Sequence, residues 1–99
     1  SPDNAALREC EEETGMRPQT LVPLIHYAHA EGYSTGWITL YAGRNLWHTG
    51  QTCFDESEFV ELVQVPFPEL LHKIFTREII DSKTIISTLI WEKMRREHS

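Results

Sequence analysis

Ser1-Pro2-Asp3 at one end and Gly15 at the other bracket a segment whose two ends are both written as helix ends. This bracket constrains the chain more than any other feature. The Ser1 hydroxyl can cap free amides, Pro2 suits the first helical position because its missing N–H is not needed there, and Asp3 complements the positive end of the dipole. Gly15 tolerates the positive φ that closes a helix, and Pro18 lies where a helix could not easily continue, so the spacing predicts a helix to about Thr14. Within it, Glu9, Glu11, Glu12 and Glu13 are crowded together. Positions three and four apart share a helix face, so Glu9, Glu12 and Glu13 converge, whereas Ala6 and Cys10 point largely towards a core. Like charges at that spacing repel by roughly a few tenths of a kcal/mol per pair. Two readings follow: a solvated acidic face, or a site for a hard divalent cation. Mg²⁺ takes oxygen ligands, keeps several waters and completes its shell from a phosphate-bearing substrate.

After Gly15 the composition changes. Thr20 to Ala28 and Gly36 to Leu46 are rich in β-branched and aromatic residues and read as strands, the first an edge or bulged strand because of Pro23. His29 to Thr35 reads as the loop between them, residues 47 to 57 as a second loop around Gly50, and Phe59 to Val65 as a third strand. Pro66 and Pro68 turn the chain into a short helix from Glu69 to about Arg77, with Leu70, Leu71 and Ile74 on one side. A longer helix, capped by Asp81 or Ser82, runs to about Arg96. Its Ile85, Ile86, Leu89, Ile90 and Met94 follow helical spacing and are expected to pack against the strands. The order of helix, strands, helix and helix suits a layered α/β or α+β domain.

Size and charge narrow the functions. With 99 residues the chain is expected to be a single domain, residues 1–99, with a modest core. A net charge of −6, from 9 Lys and Arg against 15 Asp and Glu, argues against nucleic acid or an anionic membrane as a partner. Cys10 and Cys53 are far apart and without a CxxC pair, which fits a reducing, cytoplasmic setting rather than a zinc site or disulfide framework. No apolar run is long enough to span a bilayer.

The stretch Arg8-Glu9-Cys10-Glu11-Glu12-Glu13-Thr14-Gly15-Met16 resembles the second half of the Nudix hydrolase box, G-x5-E-x7-R-E-U-x-E-E-x-G-U, at every fixed position, with Cys10 and Met16 in the two apolar (U) places. Counting back from Arg8, the first Glu of the box falls immediately before Ser1. The expectation is therefore a partial Nudix fold, α/β (α+β), with a mixed sheet packed between helices and without the N-terminal strands. The stretch from Asp55 to Leu62, then Val65-Pro66 with its short helix, then Ile80-Asp81-Ser82-Lys83-Thr84, resembles the closing third of ADP-ribose pyrophosphatases. His29 to Gly36 lies where that branch often has a Ser-Pro-Gly loop ending in an acid; here the Pro is absent and Gly36 stands near the acid's place.

The resemblance implies a Mg²⁺-dependent hydrolase, with Mn²⁺ as a substitute ion, that cleaves the pyrophosphate of ADP-ribose or a related nucleoside diphosphate derivative. It implies Glu9, Glu12 and Glu13 as metal ligands, Arg8 as their support, Glu56 as general base and Glu58 as a further ligand. Plain solubilising acids in a loop are the other reading of Glu56 and Glu58. Trp37, Tyr33 and Trp47 are of a type that stacks on adenine, although a strand Trp such as Trp37 is expected more often in a core or interface. His26, His29, His48 and His72 show no ligand spacing and receive no role. The alternative from another class is a catalytically impaired Nudix domain serving as an oligomerising or binding module. Because missing strands expose sheet edges and apolar faces, a homo-oligomer, most simply a dimer, is expected.

Overall fold

The computed structural model describes residues 2–31, 34–50 and 63–98. In order they form α1 (Pro2–Thr14), β1 (Met16–Glu31), β2 (Ser34–His48), α2 (Phe67–Phe75) and α3 (Ser82–Glu97). The fold is α+β, and the sheet is a two-stranded antiparallel hairpin of β1 and β2. This bears out the α+β class expected from the order of elements. Two compact units divide the chain: Ser1–Val22 with Gly43–Val63, and Pro23–Ala42 with Gln64–Ser99. Each contains part of the hairpin.

In the first unit α1 ends where its sequence says it should. Gly15 takes φ 72°, and its N–H donates to the Glu11 carbonyl at 2.8 Å. The Thr14 hydroxyl donates to the Cys10 carbonyl at 2.6 Å and accepts from the Met16 N–H at 3.0 Å, so one side chain serves both the last helical turn and the first strand residue. The Gly15 carbonyl accepts from the N–H groups of Thr49 (2.9 Å) and Gly50 (3.1 Å), which ties the end of α1 to the residues that follow β2. Pro18 is fully buried. A Cβ on Gly43 would lie 3.0 Å from Pro18 Cβ, so the absence of a side chain at 43 is what lets β2 pass the proline ring.

Both strands are longer than their composition indicates. Of the segment from His29 to Thr35 expected as a loop, the residues up to Glu31 belong to β1 and those from Ser34 to β2; positions 32 and 33 lie outside the described residues. Trp47 and His48, read as loop, belong to β2. Residues 63–65, the end of the expected third strand, are irregular, and the rest of that segment lies outside the described residues.

In the second unit α2 begins at Phe67, directly after Pro66, and its end is closed by Arg77 at φ 67°. The Glu78 N–H donates to the Lys73 carbonyl at 3.0 Å and the Arg77 N–H to the Ile74 carbonyl at 3.2 Å, the paired bonds of a left-handed helix stop. Asp81 is the cap of α3: its carboxylate accepts from the Thr84 N–H and from the Thr84 hydroxyl, both at 2.9 Å. Helix α3 contacts α2, in the unit that also holds the hairpin residues Pro23–Ala42. The most buried α3 residues are Thr88 and Glu92, and Leu89 is exposed. Glu92 accepts from Arg95 Nε at 2.8 Å and from Arg96 Nε, and the Arg95 guanidinium lies 5.0 Å from the centre of the Phe67 ring on α2. A buried carboxylate satisfied by two arginines thus takes the inner position that an apolar residue was expected to hold. Among the described residues Pro18 is the one fully buried apolar side chain, and no helix is long and apolar enough to cross a membrane.

Candidate functional site

Helix α1 sets the geometry of the acidic residues. Its pitch brings Glu9 level with Glu12 and Glu13, one turn apart on one face. Glu9 and Glu13 are exposed and Glu12 is half-buried. Arg8 Nε lies 3.9 Å from Glu12 Oε1, the long ion pair of neighbours one turn apart, which restrains Glu12 only weakly. Glu11 turns away from this set and pairs with Arg17 of β1 at 3.7 Å. Cys10, between them, is a half-buried free thiol with Sγ 3.8 Å from Thr14 Oγ1.

Among the described residues, no three His, Cys, Asp or Glu side chains are gathered closely enough to hold an ion. By its chemistry the donor set is of the type that suits a hard divalent cation: three carboxylates on little more than one turn of helix, two of them exposed. Glu56, Glu58 and Tyr33 lie outside the described residues.

Three features were not found from the sequence. The clasp of Thr14, Thr49 and Gly50 around Gly15 depends on chain segments that meet only after folding; the one local signal was a hydroxyl at the last helical position. The pairing of Arg17 with Glu11 joins β1 to α1 and has no signature in the sequence. On the hairpin, Trp37 is 66 % exposed, so of the two places expected for it, core or interface, the core is excluded. His26, given no role, is stacked on it with ring centroids 5.0 Å apart and planes 11° from parallel, and its Nδ1 lies 2.7 Å from Thr39 Oγ1. Trp47 is about half exposed.

Comparison with known proteins bears on the same residues. The family model of the NUDIX domain matches residues 1–85. The chain is 38% identical over 87 residues to a methanol dehydrogenase activator of Bacillus methanolicus, covering 87% of this chain and 47% of that protein. It is 31% identical over 84 residues to an ADP-ribose pyrophosphatase of Bacillus subtilis (84% and 45%). It is 32% identical over 90 residues to a GDP-mannose pyrophosphatase of Yersinia enterocolitica (87% and 46%). The chain spans about half the length of these relatives. With the box residues on one closed helix and the family model covering most of the sequence, the chain belongs to the Nudix family.

Proposed function

We propose that the chain carries the catalytic half of a Mg²⁺-dependent pyrophosphohydrolase, with Mn²⁺ able to replace Mg²⁺, acting on ADP-ribose or a related nucleoside diphosphate derivative. The observation that supports this most is the placement of Glu9, Glu12 and Glu13 on one turn of α1, in a chain matched by the NUDIX domain and similar to two proteins named as pyrophosphatases. In this reading those three carboxylates, with Glu58, hold the cation. When bound, a divalent cation neutralises the charge that builds on the transferred phosphoryl group. Arg8 pairs loosely with Glu12, and the hydrogen bonds around Thr14 and Gly15 fix the end of the helix that presents Glu13. Glu56 takes the proton of the attacking water, a role its carboxylate can fill only within hydrogen-bond reach of that water.

Incubation with ADP-ribose and Mg²⁺ tests the proposal. AMP and ribose 5-phosphate should appear, and Glu13→Gln should lower the rate by about a hundredfold, as loss of one electrostatic stabiliser typically does. No product from any nucleoside diphosphate derivative, or a rate unchanged in Glu13→Gln, would overturn it.

A second reading, a Nudix module that acts by binding another protein, is favoured by one observation: the relative at 38% identity is named as an activator of an enzyme. Assembly as a homodimer is part of either reading. Phe75, Ile80 and Leu89 of the second unit are exposed apolar side chains of the kind that a second copy covers. The free thiol of Cys10 suits a reducing compartment such as the cytoplasm.

A further inference from the structure

The His26 and Trp37 pair on the hairpin is better ordered than its exposure requires. The imidazole is fixed twice, at its face by the indole and at Nδ1 by the Thr39 hydroxyl of the opposite strand. That bond also settles the other ring nitrogen of the neutral imidazole: if Nδ1 accepts, Nε2 donates, and the reverse. The stack covers one face of the indole and leaves the other open, with Trp37 66 % exposed and His26 itself exposed. Among the described residues, neither Trp37 Nε1 nor His26 Nε2 has a hydrogen-bond partner. A flat, immobilised aromatic face with polar groups on its rim matches what a nucleobase offers, a π-face bounded by ring nitrogens and exocyclic donors or acceptors.

We propose that the His26 and Trp37 stack is a binding platform for a purine nucleobase, which lies on the open indole face while its edge meets the indole N–H. The proposal deepens the reading of the chain as acting on a nucleoside diphosphate derivative and rests on it for the identity of the ligand. A purine is favoured over a pyrimidine because its two rings overlap the indole more fully. His26 is a positioning residue: it backs the indole and does not touch the base. All three residues lie in the second compact unit, so occupancy of the platform can be read without the acidic helix.

The test is titration of the ¹⁵N-labelled chain with adenosine and with cytidine, in the presence of EDTA, following the Trp37 indole N–H resonance assigned from Trp37→Phe. Adenosine should shift that resonance saturably and bind more tightly than cytidine. Trp37→Ala should weaken adenosine binding by about tenfold, the usual scale for loss of one stacking contact, and Trp37→Phe should restore part of it by keeping a ring. No saturable shift, equal affinity in Trp37→Ala, or a Trp37 shift that follows protein concentration without ligand, which would give the face to a second copy, overturns the proposal. The two readings fail separately. Adenosine binding without hydrolysis leaves the platform standing and removes the enzyme; hydrolysis with KM unchanged in Trp37→Ala does the reverse.

Discussion

Gly15 carries two jobs at the end of α1. Its φ of 72° closes α1, and its carbonyl receives the N–H groups of Thr49 and Gly50. Alanine at a left-handed position costs about 1–2 kcal/mol, so Gly15→Ala should lower stability by that amount in denaturant unfolding while leaving the helix itself formed. A variant as stable as the parent would mean the turn is not held as described. The helix-ending role was legible, because glycine followed by proline is a local signal. The carbonyl's partners were not, since Thr49 and Gly50 reach it only through the path of the hairpin. Trp37 shows the same divide. Its aromatic character and strand setting could be read directly, whereas its exposure depends on which face of the hairpin is left uncovered.

At the level of elements, all three helices were legible from caps, prolines and apolar spacing, and their bounds moved by a few residues. The strands were legible in kind and too short in extent, because backbone pairing extends strands past the residues that favour them. What α3 packs on was not legible: an apolar stripe says that a face is covered and does not name the neighbour. Two predictions belong here. Arg77 closes α2 with φ 67°, a position where glycine has no steric cost. Arg77→Gly should therefore stabilise the chain by about 1 kcal/mol, measured by thermal or denaturant unfolding, and destabilisation would show that the Arg77 side chain contributes more than its backbone costs.

The second concerns acid. The Thr84 N–H, with the Thr84 hydroxyl, holds the Asp81 carboxyl below its ordinary value of 3.8, and the hydrogen bonds from Arg95 and Arg96 hold Glu92 below its ordinary 4.5. Both groups bind protons less readily folded than unfolded, so their contribution is complete above those ordinary values and is lost as pH falls through the lower folded ones. Stability followed by circular dichroism should drop below about pH 4.5, and the drop should be shallower in Glu92→Gln. An identical acid profile in that variant would contradict the role given to the Glu92 pair.

For the whole molecule, two compact units in which Pro18 alone among the described apolar side chains is fully buried leave apolar surface in water. Phe75, Ile80 and Leu89 should be covered by self-association, and sedimentation equilibrium should give a dimer that Ile80→Asp weakens. A monomer at all accessible concentrations would contradict it.

The central claim is that α1 carries a metal centre. Mn²⁺ binding to the chain, followed by electron paramagnetic resonance with Glu12→Gln and Glu13→Gln as controls, tests it most directly. The account predicts saturable binding that both variants lose; no binding, or binding indifferent to both substitutions, would contradict it.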